Sequence, residues 1–280
     1  MRDGPGDERI VLLLNLAEPL ERLLRENLGR RGLASRSLDT DAIVLGDIHV
    51  PIGDPAGEGW IRPRGAMQPL FLSQVAGTLA DLDPGASGDV FSACERAAVL
   101  HMLRMACGNP LNRGTSGSAC AYMVSLPEQW ARCARAGLAC PQWQVHDGGT
   151  LADGWLLVSG LYDRSLRRVD DGEGEDEVRL AVQSPRGAAA CCAFAGDVLT
   201  LLRPEGDRLV EMHLPDRALD EVAELTAAVR HVFGIDYGEL VFSYLGQPVF
   251  WSVVPQFSPD ILEGPAGDSL AEALADMVSR

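Results

Sequence analysis

Apolar residues in the first third of this chain gather into short runs whose spacing changes from run to run. Residues 9–16, RIVLLLNL, form a nearly unbroken apolar stretch of strand length, the pattern of a buried strand. Residues 18–32, EPLERLLRENLGRRG, instead place leucine at 20, 23, 24 and 28. That spacing lines one face of a helix, and the glycines near its end predict the stop. Residues 41–48, DAIVLGDI, read as the next strand. The opening is therefore a βαβ unit, which predicts a small α/β domain with a parallel sheet. No GxGxxG follows the first strand, so the dinucleotide reading is weak. Residues 83–108 read as a loop and then a helix with apolar positions at 97, 98, 99, 102, 103 and 105.

After residue 108 the pattern changes. GNPLNRGTSGSACAYM is rich in Gly and Ser and reads as a crossing loop. Residues 126–143 predict a helix stopped by Gly137 and a strand entered through Pro141, and 154–163 predict a strand with a turn. Residues 170–177 carry six carboxylates in eight positions, so 167–179 must be an exposed loop. Residues 178–183 and 188–203 predict antiparallel strands turning at Gly196-Asp197. The helix 215–234 has Asp216 as N-cap, an apolar face of Leu219, Val222, Val229 and Val232, and Gly234 as its stop. Residues 238–255 predict a hairpin turning at Leu245-Gly246, and 268–280 a short terminal helix. The expected arrangement is an antiparallel sheet over 178–262 backed by the helix 217–233. Alternation along VFWSVVP assigns Val249, Trp251 and Val253 to one face, and Phe250, Ser252 and Val254 to the other.

Composition narrows the function classes. The chain has 280 residues, 46% of them hydrophobic, which suits one large or two modest globular domains. A net charge of −16 repels phosphates, so nucleic acid and anionic membranes are not expected partners. No apolar run approaches the roughly 20 residues that span a bilayer. The first one follows DGPGDER rather than a basic leader, so a cytoplasmic location is expected. The seven cysteines are an odd set with no CxxC, and they read as reduced, buried small hydrophobes rather than zinc ligands. Cys191 and Cys192 should point to opposite faces of one strand. The five histidines are scattered and read as surface or packing residues. All 24 basic residues are arginine, which excludes chemistry that needs a lysine ammonium, Schiff-base and Walker A mechanisms included.

Several short pieces, taken in order, resemble the ATP-grasp superfamily, and within it the glutathione synthetase-like peptide ligases. The NR at 112–113 resembles the NRP that opens the linker in one branch. Ser125, Pro127 and Gln129 match its S-K-P-x-Q, and AGLACPQW resembles the AGFxVPxT that enters the nucleotide domain. Gln183 with SPRG resembles the hinge under the adenine. FGIDYGELVF and VFWSVVPQFSP resemble the two strands that carry the metal ligands. The resemblance covers nearly the whole chain. It implies an N-terminal α/β domain (1–108), then an ATP-grasp-like domain (109–262) split into 109–183 and 184–262, and a C-terminal helix (263–280). The implied fold class is α/β and α+β with an antiparallel sheet.

The departures from that pattern are systematic. The resemblance implies Mg²⁺ held by carboxylates and an amide of the last two strands, with two lysines offsetting the triphosphate charge. Val241 falls on the aspartate, Ser252 on the glutamate and Val254 on the asparagine. Leu126 falls on the linker lysine, and Val158 or Ser159 lies near the strand lysine. Two unit charges about 4 Å apart interact by roughly 4 kcal/mol at a surface-like dielectric, so losing these groups together removes most of what holds ATP. Arg164, Arg167, Arg168 and Arg186 cluster around the former phosphate region. They read either as bidentate phosphate ligands or as charges that solvate strand ends and pair with the acidic run. Glu239, Asp236 and Asp260 lie near the lost metal positions as a weaker cation set. The expectation is a degenerate ATP-grasp protein with no cofactor and no catalytic residue. It would act as a scaffold, regulator or peptide- or metabolite-binding subunit beside an active ligase or other pathway enzyme, and a homo-oligomer stays open. The alternative is an active carboxylate-amine ligase that uses ATP and Mg²⁺ through arginines and shifted carboxylates.

Overall fold

In the computed structural model, which describes residues 10–14, 18–38, 72–73, 111–112, 124–146, 150–159, 179–184, 187–205 and 208–279, the first apolar run is strand β1 (Ile10–Leu14). Helix α1 (Glu18–Arg30) follows and buries Leu20, Leu23, Leu24 and Leu28, the stripe its spacing predicts. The helix ends in a turn at Gly32, whose φ of 71° is costly for residues with a Cβ. The chain then enters β2 (Ala34–Leu38), parallel to β1, with β3 (Leu72–Ser73) parallel on the other side in the order β2-β1-β3. The strand that completes the βαβ unit is thus 34–38, not 41–48, which lies outside the described residues. ASRSL escapes an apolar-run search because, among the described residues, β2 pairs with β1 alone in this sheet, and Ala34 and Arg36 are exposed. The predicted helix within 83–108 and the acidic loop also lie outside the described residues.

The chain divides into two compact units, Met1–Tyr122 with Gly234–Tyr237 and Ser258–Arg280, and Met123–Phe233 with Gly238–Phe257. The first unit includes α4 (Pro259–Leu262) and α5 (Pro265–Ser279), and α5 packs on α1. Its buried Leu270, Ala271, Leu274 and Ala275 supply the stripe, and Arg31 Nε donates to Asp276 Oδ1 at 2.9 Å. Asn112 ties two distant segments of this unit together. Its Oδ1 accepts from the backbone N–H of Asp236 (2.6 Å) and Tyr237 (3.1 Å), and its Nδ2 donates to Tyr237 O at 3.0 Å. The Asp236 carboxylate returns the bond by accepting from Asn112 N at 2.7 Å. Asn112 has a φ of 51°, a conformation asparagine tolerates better than most side chains.

In the second unit, α2 (Leu126–Arg135) leads into β4 (Trp143–His146), and β5 (Trp155–Ser159) and β6 (Arg179–Gln183) follow. These strands form an antiparallel sheet of order β4-β6-β5. A second sheet has the order β11-β10-β7-β8-β9, with β7 (Ala188–Ala195), β8 (Val198–Glu205), β9 (Arg208–Glu211), β10 (Tyr237–Tyr244) and β11 (Pro248–Val254). The β7–β8 turn falls at Gly196-Asp197 and the β10–β11 turn at 245–247, as expected. Residues 179–183 belong to the smaller sheet, however, and not to the sheet expected over 178–262. The cause is register. Leu180 and Val182 pair with strands on both sides, β4 and β5, and leave no edge for β7.

Helix α3 (Asp216–Phe233) covers one face of the five-stranded sheet. Phe233 stacks on Phe250 with ring centroids 6.2 Å apart, and Thr226 Oγ1 lies 3.7 Å from Cys192 Sγ. Its buried stripe is Ala218, Val222, Leu225, Thr226, Val229 and Phe233. Leu219, expected inside, is 40% exposed, because the face that meets the sheet is centred one position earlier. Asp216 is the first helical residue and not the cap. Pro215 O takes the opening bonds from Ala218 N and Leu219 N, and Asp216 sits in the first turn, where a carboxylate complements the helix dipole.

Replacing Asn112 by alanine should strip Asp236 N and Tyr237 N of their acceptor and impose an unfavourable φ. We expect a loss of about 2–4 kcal/mol in urea denaturation, with Asn112→Gly recovering only the backbone part. A variant as stable as the parent would remove Asn112 from the forces that hold the first unit.

Candidate functional site

The last hairpin, which the sequence singles out, is built around the open edge of β11. An edge strand presents unpaired N–H and C=O groups, and these are costly when buried. Helix α2 and the segment after it cover them. Gln129 Oε1 accepts from Val253 N at 2.9 Å while its Nε2 donates to Val124 O at 3.0 Å. Trp130 Nε1 donates to Trp251 O at 2.6 Å, and Ala139 O accepts from Phe250 N at 2.9 Å. Gln129 and Trp130 are each 2% exposed. Sequence reasoning marked Gln129 by resemblance but could not assign this role. The available signal was a glutamine beside a tryptophan on the apolar face of a short helix.

The β10–β11 pairing contains a bulge. Val241 pairs with Ser252 and Phe242 with Phe250, which leaves Trp251 as the extra residue. This corrects the alternation expected for VFWSVVP. Phe250 shares a face with Phe242 and packs toward α3, while Ser252 and Val254 lie on the opposite face with their partners Val241 and Glu239. Trp251 joins that second face, where its Nε1 donates to Ser243 Oγ at 3.2 Å. The same parity separates Cys192, which meets α3, from Cys191, and so bears out the expected opposition of the two thiols. Burial, and then the Glu239 carboxylate, push the Cys191 thiol well above its ordinary range, so it stays protonated and is no nucleophile.

The structure therefore brings Glu239, Val241, Ser252 and Val254 together on one face of the sheet. Ser252 is 2% exposed, and its Oγ is buried with no hydrogen-bond partner. Val254 is buried, and Val241 and Glu239 are half-buried. The other candidates belong to other elements. Leu126 is the buried first residue of α2, Val158 is buried in β5 opposite Leu180, and Gln183 is half-buried at the end of β6. Asp260 is an exposed residue of α4 in the first unit, and Asp236 is engaged with Asn112. Arg164, Arg167, Arg168 and Arg186 lie outside the described residues. Mg²⁺ demands an octahedron of oxygens. Positions 241, 252 and 254 together offer one hydroxyl, so they do not fit that ion. Among the described residues no group of three His, Cys, Asp or Glu side chains could hold a metal.

No family model and no curated protein matches the chain. Solved structures do. The ATP-grasp ligase PsnB, complexed with precursor peptide PsnA2 and AMPPNP, superimposes with a TM-score of 0.67 at 14% identity, over 99% of this chain and 98% of that one. The macrocyclase MdnC of Microcystis aeruginosa, bound with precursor peptide MdnA, gives 0.61 at 13% identity over 97% and 100%. A RiPP-associated ATP-grasp ligase of Chryseobacterium gregarium, in complex with ADP and a leader and core peptide, gives 0.66 at 10% identity over 96% of each chain. This chain has the ATP-grasp fold. The resemblance read from scattered motifs therefore holds at the level of architecture. No helix among the described residues is long and apolar enough to cross a membrane.

Within the ATP-grasp frame, Ser252 gives a sharp test of how dry the β10–β11 face is. Its unpartnered hydroxyl contributes only a desolvation cost, so Ser252→Ala should leave thermal stability unchanged or raise it by about 1 kcal/mol. Ser252→Glu should bury a carboxylate beside Glu239 and cost several kcal/mol at pH 7. Burial raises the pKa of an introduced carboxyl in the folded state. The penalty is thus present when the group must ionise and should shrink as pH falls through about 4 and below, where the carboxyl becomes neutral in both states. Melting of both variants across that pH range checks the sign. A Ser252→Glu protein as stable as the parent at pH 7 would mean a wet site.

Proposed function

We propose that this chain is a degenerate ATP-grasp protein that performs no ligation and serves as a scaffold, regulatory or peptide- or metabolite-binding subunit in a bacterial biosynthetic pathway. The observation that carries this reading is the β10–β11 face. By the motif resemblance, Val241, Ser252 and Val254 stand where ATP-grasp enzymes place the aspartate, glutamate and asparagine that hold Mg²⁺, and they supply a single buried hydroxyl. The complete absence of lysine adds to it, since the same resemblance puts Leu126, buried at the start of α2, where the linker lysine belongs. A peptide is the favoured ligand because PsnB and MdnC, which share the fold, are described in complex with precursor peptides. An active partner enzyme would then supply the chemistry that this chain lacks.

One observation favours a second reading, an active carboxylate-amine ligase with rearranged ligands. Glu239 is a half-buried carboxylate on the same face as Ser252, two residues along β10 from the expected position at Val241. Arg164, Arg167, Arg168 and Arg186 would then replace the lysines.

Calorimetric titration with Mg-ATP separates the two. The non-catalytic reading expects binding weaker than about 1 mM, worth no more than roughly 4 kcal/mol. A micromolar affinity that is lost in Arg164→Ala or Arg168→Ala would overturn it and install the arginine-based ligase.

A further inference from the structure

Two thiols meet at the C-terminus of α2. The helix stops at Arg135, and Gly137, with φ of 82°, reverses the chain. Leu138 N then donates back to Cys133 O at 3.0 Å, the long bond of a Schellman-type stop. The chain folds back along the last turn, so that Cys140 Sγ lies 3.6 Å from Trp130 O, one helical turn before Cys133. Trp130 and Cys133 are buried on the same face of α2, so the Cys140 thiol returns to the turn that carries Cys133, close enough for each thiol to shift the other's ionisation. Cys133 is fully buried, Cys140 is half-exposed, and both are free thiols.

We propose that Cys133 and Cys140 form a redox-active dithiol that closes to a disulfide under a hydroperoxide oxidant, with Cys140 as the attacking thiol and Cys133 as the resolving one. The roles follow from exposure: only Cys140 meets solvent. The hydrogen bond from Cys133 lowers the Cys140 pKa, against the opposing effect of burial, and raises that of Cys133. Cys140 is therefore the more readily ionised thiol of the pair.

The chemistry balances. The Cys140 thiolate attacks one peroxide oxygen and the O–O bond breaks. The outer oxygen departs as hydroxide or alkoxide, and the sulfur becomes a sulfenic acid. Cys133 sulfur then attacks that sulfur, the S–O bond breaks, and the hydroxyl leaves with the Cys133 proton as water. With hydrogen peroxide, two thiols and one oxidant give one disulfide and two waters. The bond clips the helix end to a segment that already works structurally, because the neighbouring Ala139 carbonyl covers Phe250 N on the β11 edge. Oxidation would thus fix the brace on the strand that carries Ser252 and Val254.

Trypsin makes the test direct, since it cuts after Arg132 and Arg135 and leaves Cys133 and Cys140 on separate peptides. The reduced full chain is treated with hydrogen peroxide, alkylated, and digested without reductant. The expected result is one species that joins the two peptides, lighter by two hydrogens than their sum and split by dithiothreitol. Cys140→Ser should abolish it. Cys133→Ala should leave Cys140 as a sulfenic acid that dimedone traps. In that variant, alkylation of Cys140 below its pKa should also slow by about fivefold, because the hydrogen bond is gone. The inference is overturned if Cys140 in the native chain proceeds to sulfinic acid with Cys133 still alkylatable, or pairs with a different cysteine. Equal alkylation rates in the native chain and Cys133→Ala would overturn the assignment of roles.

Discussion

The second unit depends on the satisfaction of one strand edge. β11 ends the five-stranded sheet, yet its edge is buried: Phe250, Trp251 and Val253 are all at most 3% exposed. Three of its backbone groups point away from β10 toward no strand, and each would cost about 1–3 kcal/mol if left unpaired in the interior. Gln129, Trp130 and the Ala139 carbonyl meet them. This requirement explains features that otherwise look anomalous. A glutamine is buried in an amphipathic helix because its amide spans Val124 O and Val253 N. A tryptophan follows because its ring fills the interface while its N–H reaches a carbonyl. Gly137 stops the helix so that Ala139 can return to the same edge.

The bulge at Trp251 sets what that braced strand displays. Inserting one residue changes side-chain parity, so Phe250 joins Phe242 against α3 while Ser252 and Val254 remain opposite Val241 and Glu239. The two faces then answer to different demands. The α3-facing set, with Phe233 stacked on Phe250, is close-packed apolar core. The other face needs only side chains of suitable size and polarity at 241, 252 and 254 to keep the strands paired. A frame held by α2 and α3 can therefore persist while ligand chemistry on the opposite face changes. On the proposed reading, that separation would let a strand of this shape survive without the groups that do chemistry.

Elements with strong local signals were legible in the sequence. The α1 leucines, the Gly196-Asp197 turn and the β10–β11 hairpin fall where periodicity and turn residues put them. What was not legible depended on partners distant in sequence. β2 reads as ASRSL because one neighbour strand suffices for it. β9 escaped because it is a short, largely exposed outer strand of the five-stranded sheet. Leu219 and Ala218 exchange burial because helical spacing fixes the width of a stripe but not its centre. The bulge cannot be seen in VFWSVVP at all, since a strict period of two is the only rule a strand offers from within. The site residues came from resemblance, and the face they share came only from cross-strand register.

The same geometry bears on whether such a face could hold a cation. Val241, Ser252 and Val254 surround one another on a face where Ser252 already lacks a hydrogen-bond partner. A single carboxylate introduced there lies near Glu239 and buries a charge, which carries a desolvation cost. Mg²⁺ would offset that cost only if several oxygens appeared together, because the ion keeps its water rather than accept one or two poor ligands. Each one-residue step toward a metal site should therefore be uphill in stability. On the reading proposed here, the apolar replacement is thus a local optimum. The fold holds it there through the packing that braces β11.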